Sequence, residues 1–551
     1  MARPQRWDEP FGPEMTDADV QMLLERPEIS AIEAKRFPTQ VPLTGILKND
    51  TRIVTYKSGE IVVRENDYGN SAFLILSGIL RVVLAPGLPK EKLGRHIPNK
   101  KNFLESLSQL WTNRSIPEVR DTRLYEQKGL LRAEDAQNTR VMLQDIPVVL
   151  DTQKTAELGE GQLFGELAAL GRIPRSATVF AEHDATCLEI RWQGLRELRK
   201  FDEGWRRRID EKYRENALKV HLSETPILSG IGAEAVEQVA DHTLFETYGT
   251  FDWNISYQKM RRQGKTGISE EPVIAKEGDY PDGLLLVRAG FARVSVHHGQ
   301  GVRTLTYLGK GDSFGLDELY VGWKEKRSMP LQTTLTALGY VDVLRLPSKI
   351  LEQHVFSKID PPKRSLIDLA DRALSEDALL EWAVEERFVN ATQAMLIDLD
   401  KCTRCDDCVR ACASTHDGNP RFIRHGHTFD HWMVTNACLH CVDPVCLIGC
   451  PTGAINRNID SGTVVINDNT CIGCGACANS CPYDNIRMVD IRNLSGKALV
   501  DDHTQKPLQK ATKCDLCVDQ LGGPACVRAC PHDALKRIDF QTVMRQTSKG
   551  S

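Results

Sequence analysis

Seventeen cysteines punctuate this chain of 551 residues, and sixteen of them fall between Cys402 and Cys530. They form four groups of four. The first is Cys402, Cys405, Cys408 and Cys412, and the second is Cys438, Cys441, Cys446 and Cys450. The third is Cys471, Cys474, Cys477 and Cys481, and the fourth is Cys514, Cys517, Cys526 and Cys530. Groups one and three follow C-x2-C-x2-C-x3-C; groups two and four keep the opening C-x2-C and closing C-x3-C around a longer third interval. Pro451, Pro482 and Pro531 follow the last cysteine of three groups. A loop with this spacing can turn three thiolates toward one small cube of iron and sulfide. The fourth, on the short helix that follows, points toward a neighbouring cube. The spacing predicts four [4Fe-4S] clusters, whose chemistry is one-electron transfer.

Structural zinc also uses C-x2-C pairs, but zinc ribbons join two such doublets rather than repeating this run with its proline. Disulfides need an oxidising compartment, and nothing in the sequence suggests export. A [3Fe-4S] cluster usually follows loss of a ligand, and none is missing. Gly473 and Gly475 suit a loop that must wrap closely around an inorganic core. Cys187, in the apolar run ATCLEI, reads as a buried core thiol. A metal site at His425, His427 and His431 is disfavoured, because scattered loop histidines seldom bind one.

From about Met395 to Asp539 the chain resembles the four-cluster iron–sulfur subunits of the dimethyl sulfoxide reductase, formate dehydrogenase and nitrate reductase type. The matching stretches are MLIDLDKCTRCDDCVRAC, ACLHCVDPVCLIGCPTGAI, CIGCGACANSCPYDNIRM and KCDLCVDQLGGPACVRACPHDAL. The resemblance implies that group one pairs with group four and group two with group three. One cluster would then take Cys402, Cys405, Cys408 and Cys530, and its partner Cys514, Cys517, Cys526 and Cys412. A third would take Cys438, Cys441, Cys446 and Cys481, and the fourth Cys471, Cys474, Cys477 and Cys450. Ala413 departs from the usual proline without removing a ligand. Such subunits relay electrons, and substrate chemistry belongs to a catalytic partner of molybdopterin, nickel–iron or flavin type.

The elements before residue 390 are of another kind. From Ile46, short apolar runs punctuated by glycine, with a tight turn at Gly78, predict a small β barrel or jelly roll. The segment GQLFGELAALGRIPRSATVFA resembles the phosphate-binding cassette of cyclic nucleotide-binding domains, as in catabolite activator proteins and regulatory subunits of cyclic AMP-dependent kinase. The resemblance implies backbone amides around Gly165 facing a cyclic phosphate, Arg175 gripping it, and Glu166 accepting from the ribose hydroxyl. Ser176, after the arginine, leaves cAMP and cGMP both open. A long charged helix is expected from about Gln193 to Val220.

A second copy aligns GDSFGLDELY with GQLFGELAAL. There Leu316 replaces the carboxylate and Leu331 the arginine, so a cyclic phosphate would meet apolar side chains; Arg327 or Glu318 in a shifted register is the weaker alternative. The first barrel also carries an insertion over 87–156, far beyond ordinary loop length, expected to have structure or a partner contact of its own. A smaller insertion, WNISYQKMRRQGKTGISEE, lies in the second barrel.

Composition sets the outer limits. The net charge of -5 argues against a general nucleic-acid binder, and no winged helix-turn-helix follows the first barrel, so no DNA partner is expected. No run approaches the ~20 apolar residues of a membrane span, and the start lacks the apolar core of a secretory signal, so a cytoplasmic protein is expected. No dinucleotide or nucleoside-triphosphate fingerprint is evident.

The expected fold is α+β and multidomain: a helical or irregular segment over 1–45, barrels over 46–220 and 221–355, a helical connector over 356–394 and a ferredoxin-like four-cluster domain over 395–551. The expected function is non-catalytic electron transfer within an oxidoreductase complex, regulated or docked through the barrels. The alternative is a redox-sensing, cyclic nucleotide-responsive signalling protein.

Overall fold

The computed structural model describes residues 10–84, 116–120, 146–171, 174–214, 230–249, 253–263, 271–298, 301–361, 377–448, 452–458, 461–468, 470–500 and 505–540, with a few single positions between these stretches. Most of the insertion over 87–156 lies outside them. The chain divides into two compact units: Met1–Ile209 with Gln393–Arg537, and Asp210–Thr392 with Ile538–Ser551.

In the first unit, two four-stranded antiparallel sheets make the first barrel. One runs in the order Thr51–Tyr56, Ala185–Arg191, Ser71–Ser77, Leu163–Phe164; the other is Ile61–Val63, Thr178–Ala181, Leu80–Val83, Thr155–Leu158. Their inner faces bury Tyr56, Phe73, Ile75, Leu80, Phe164, Val179 and Cys187. Cys187 is fully buried, as its apolar run requires. Gly78 takes a φ of 91° at the turn between two strands. The expected long helix is two helices, Trp192–Phe201 and Glu203–Tyr213, because Asp202 leaves helical geometry and its carboxylate accepts the Trp205 N–H at 2.8 Å. An aspartate in that position starts a new helix rather than continuing the old one.

The cysteine-rich region of the same unit is built on a four-stranded sheet ordered Ile423–Phe429, Trp432–Asn436, Ala394–Asp398, Leu535–Ile538. Two hairpins flank it, Ile455–Arg457 with Val464–Ile466 and Arg487–Asp490 with Gln509–Thr512. Short helices Asp407–Ser414, Val445–Ile448, Ala476–Ser480 and Ala525–Arg528 carry or approach the third and fourth cysteines of the four groups. The first of these helices packs on the last, and the second on the third.

The second unit holds a six-stranded antiparallel sheet dominated by Gly283–His298 and Thr334–Pro347, whose pairing is interrupted by β-bulges between Val287 and Ala292. Leu285, Val287, Phe314, Leu331, Leu335 and Val343 form its core. Helix Ala233–His242 precedes the sheet, and helix Asp377–Glu385 falls in the expected connector, whose residues 362–376 lie outside the described set.

Candidate metal centre and ligand cavity

The four cysteine loops share one backbone device. The residue before the second cysteine is left-handed in each: Arg404 at φ 60°, His440 at 50°, Gly473 at 72° and Leu516 at 60°. Only the third loop uses glycine there, and a Cβ on Gly473 would stand 2.1 Å from the Gln509 carbonyl oxygen. Elsewhere an L side chain is held in a region it rarely adopts, which persists only where the surroundings over-determine it.

The loops and helices gather the thiols by place in the fold rather than by order in the sequence. Burial pushes the Cys441 thiol well up, and Cys438, Cys446 and Cys481 add to the shift. Burial pushes Cys477 up to about 12, with Cys450, Cys471 and Cys474 acting in the same sense. Cys526 is pushed up to about 12 by burial and by Cys514, Cys412 and Cys517, while Arg537 opposes. Cys408 rises to about 11 through burial and through Cys402 and Cys530. Cys477 also acts on Cys446, so two of these sets adjoin. Cys405 and Cys474 are exposed, and the other fourteen are buried or half-buried.

This donor set fits a polynuclear core. Among the described residues none of the seventeen cysteines forms a disulfide. Nor, among them, do any three cysteine sulfurs lie within 4.8 Å of one another. A single tetrahedral zinc with bonds of about 2.3 Å would draw its sulfurs to about 3.8 Å apart. Thiols crowded under burial cannot all ionise unless a cationic centre takes the place of their protons.

Donors surround the sulfurs. The Arg421 N–H reaches Cys412 Sγ at 3.2 Å, Ala525 N–H reaches Cys517 Sγ at 3.5 Å and Ala534 N–H reaches Cys530 Sγ at 3.3 Å. The Arg537 guanidinium donates to Cys514 Sγ at 3.1 Å and to the Gln393 carbonyl at 2.9 Å. His416 sits between Cys412 Sγ at 3.8 Å and the Asp515 carboxylate at 3.0 Å. Hydrogen bonds and charge of this kind set the potential of a bound cluster. Sequence reasoning missed Arg537, His416 and Arg421, which lie among other polar residues in THDGNPR and LKRID, where nothing local marks them as partners of a sulfur. His431 pairs with Asp430 at 2.6 Å and lies with Asp398 and Asp400, and among the described residues no group joins it to His425 and His427.

The first barrel brings Gly165 and Arg175 together in a closed arrangement, each against the other. Arg175 is 6% exposed and donates to the Gly165 carbonyl at 2.5 Å and the Ser71 carbonyl at 2.7 Å. Burial brings its guanidinium down to about 10, opposed by Glu189, Glu166 and Asp67. Gly165 has φ 78°, and a Cβ there would meet Arg175 Nη1 at 2.4 Å. Glu166 is buried at the start of helix Glu166–Gly171, and Ser176 faces solvent. The sequence reading missed Glu189, buried in the apolar run CLEI, which accepts from Ser71 Oγ at 2.5 Å and Arg52 Nε at 2.6 Å. A cavity of about 750 Å³ is lined by Arg52, Tyr56, Arg64, Phe73, Arg175 and Glu189, and by Cys450 and Gly453 of the cysteine region. In the second barrel Leu331 is 4% exposed and its Cδ2 lies 3.7 Å from where a Cβ on Gly315 would stand. Leucine thus occupies the space that Arg175 fills in the first copy. Glu318 accepts from the Gln332 N–H at 3.1 Å, and Arg327 pairs with Glu325 at 2.6 Å.

With this geometry in view, residues 429–539 match the family described as 4Fe-4S dicluster domain, and residues 149–201 and 268–357 match the cyclic nucleotide-binding domain. The sequence is 35% identical over 143 residues to the electron transport protein HydN of Escherichia coli, covering 24% of this protein and 78% of that one. It is 31% identical over 152 residues to one subunit of the sulfite dehydrogenase of Allochromatium vinosum, covering 23% and 57%. It is 36% identical over 106 residues to one chain of the anaerobic dimethyl sulfoxide reductase of Haemophilus influenzae, covering 16% and 51%. The match thus spans little more than half the length of these last two curated relatives. Among the described residues, no helix is long and apolar enough to cross a membrane.

Proposed function

Because this protein belongs to the 4Fe-4S dicluster family of electron-transport proteins, we propose that it relays single electrons through four [4Fe-4S] clusters to or from a catalytic oxidoreductase subunit. The observation that carries this is the fourfold repeat of a left-handed loop with its thiols gathered across groups. Cys402, Cys405, Cys408 and Cys530 hold one cluster; Cys514, Cys517, Cys526 and Cys412 hold the next. Cys438, Cys441, Cys446 and Cys481 hold a third, and Cys471, Cys474, Cys477 and Cys450 the last. When bound, each cluster supplies a site that gains or loses one electron.

The protein's own contribution is to shield, orient and charge these sites. Buried Leu439, Val445, Val464 and Ile486 keep water from the second group's thiols. Lys513 donates to the Cys514 carbonyl at 3.0 Å, and Lys510 to the Asp468 carbonyl at 3.0 Å, so buried ammonium groups offset the thiolates. The partner is a molybdopterin, nickel–iron or flavin subunit, and the setting is the cytoplasm, where thiols stay reduced.

The first barrel takes cAMP or cGMP only if Arg175 gives up its two carbonyl partners, so binding there is coupled to a rearrangement. A second reading, redox sensing, draws on Cys450 lining the barrel's cavity. Iron and acid-labile sulfide analysis of anaerobically prepared protein, with electron paramagnetic resonance after dithionite, tests the relay. About sixteen irons and interacting reduced-cluster signals are expected; a silent spectrum or mostly zinc ends the reading. Cyclic nucleotide affinity that follows the redox state in protein free of any enzyme favours the sensor instead.

A further inference from the structure

Residues 116–120, inside the insertion of the first barrel, lie against the cysteine region of the same unit. The Arg120 N–H donates to the Arg492 carbonyl at 3.0 Å, the Arg492 N–H to the Glu118 carbonyl at 3.0 Å and the Glu118 N–H to the Asp417 carbonyl at 2.8 Å. Val119 and Arg492 pair as a parallel bridge, and Ile116 covers Gly496 so closely that a Cβ there would stand 2.5 Å away. The segment is therefore joined by main-chain pairing, not by surface contact alone.

Glu118 is the centre of this join. It is 3% exposed and left-handed at φ 59°. One carboxylate oxygen accepts from Arg421 Nη1 at 2.6 Å and Asn419 Nδ2 at 2.9 Å, and the other from Arg120 Nη2 at 2.7 Å. Arg421 is itself 8% exposed, and its backbone N–H donates to Cys412 Sγ. A second guanidinium, Arg487, is close enough to feel both Cys412 and Arg421. Asp417 is the other acid beside Arg421, at 3.9 Å and half exposed. Arg487 thus stands near Cys412 with the Arg421 guanidinium beside it, His416 lies 3.8 Å from Cys412 Sγ, and Glu118 is a buried carboxylate facing both guanidiniums.

We propose that Glu118 is a positioning residue for the cluster held by Cys412, Cys514, Cys517 and Cys526: from the first barrel's insertion it fixes Arg421 and sets the charge beside Cys412. The inference rests on the relay reading. Reduction adds one negative charge to a cluster, and cations beside it favour that state. Removing the Glu118 charge takes the buried carboxylate away from these guanidiniums and leaves Arg421 with the half-exposed Asp417, so reduction becomes easier.

The test uses the full-length protein, prepared anaerobically, with Glu118→Gln against wild type. Iron content is expected to be unchanged, and potentiometric titration followed by electron paramagnetic resonance should show one midpoint raised. The shift corresponds to roughly a tenfold change in the oxidised-to-reduced ratio, about 59 mV for one electron. Equal iron with all midpoints unchanged overturns the proposal. A wild type without clusters overturns the relay reading instead. Should the variant not fold, hydrogen exchange on the wild-type holoprotein decides: slow exchange of the Arg120 and Arg492 amides supports the docked segment, and rapid exchange of both overturns it.

Discussion

The guanidinium of Arg64, in the first barrel, lies directly over the α-carbon of Gly453, three residues beyond Cys450. A Cβ on Gly453 would stand 2.5 Å from Arg64 Nη2, and the glycine is left-handed at φ 62°. Arg64 is in turn held by Asp67 at 2.7 Å. Beside it, Tyr68 is influenced by Arg457, which donates to the Gly462 carbonyl at 3.0 Å and to the Cys441 carbonyl. The wall of the barrel's cavity is therefore continuous with the second cysteine group, at Cys441 and beyond Cys450.

Gly453→Ala is expected to lower stability by about 1–2 kcal/mol from the left-handed backbone alone, with a further loss if Arg64 cannot move aside. Thermal unfolding of the holoprotein measures it, and an unchanged melting temperature would show that Arg64 is not seated on Gly453.

Pairing across groups makes a non-additive prediction. Cys450→Ser and Cys474→Ser should remove the same reduced-cluster signal and each lower the iron content by about a quarter. The double variant should lose no more than either single one. If Cys450→Ser instead removes the signal lost in Cys441→Ser, the assignment across groups is wrong.

Arg175→Ala should destabilise the first barrel by about 2–4 kcal/mol, because it strips charged donors from two buried carbonyl oxygens. It should also abolish any binding of cAMP by calorimetry. Undiminished affinity in this variant would remove Arg175 from the ligand site, whatever its effect on stability.

Acid should loosen the second unit through Asp342. Burial alone would raise this carboxyl, but Arg288 and Thr247, the latter donating at 2.6 Å, hold it below its ordinary value of 3.8. A folded-state value depressed in this way gives stability that is full above the unfolded value and is lost as pH falls below it. Hydrogen-exchange protection factors of the Leu244–Gly249 and Thr334–Pro347 amides, taken relative to the intrinsic rate at each pH, should therefore fall as pH drops below about 4. Asp342→Asn should flatten that dependence while costing about 3–5 kcal/mol at neutral pH, since it leaves Arg288 buried beside a neutral side chain. An equally steep acid response in the Asp342→Asn variant would assign the effect to other carboxylates.

Much of the site could be read from the sequence because cysteine spacing is a local constraint. Three thiols within seven residues, as at Cys402, Cys405 and Cys408, leave the backbone few ways to turn. The cassette at Phe164 to Thr178 was equally local. What spacing could not reveal was any relation between distant segments. Glu118 and Arg421 are 303 residues apart, and an acid beside Arg120 and Asp121 in a charged insertion reads as solvated, although Ile116 and Val119 flank it. The left-handed turns at Arg404, His440 and Leu516 were hidden for another reason. Propensity assigns such turns to glycine, and here the surroundings impose them on residues that avoid them alone. The break at Asp202 went unread because a charged, apolar-periodic stretch gives the same pattern whether one helix or two runs through it.

Those three strained turns have a consequence for biogenesis. A loop kept in an unfavourable conformation by what it encloses will relax when the contents are missing. Folding of this protein and delivery of its iron and sulfide are then a single event. A copy that never received its inorganic cargo would spring open at several places at once, presenting itself for degradation before it could occupy a docking position as an inert blank.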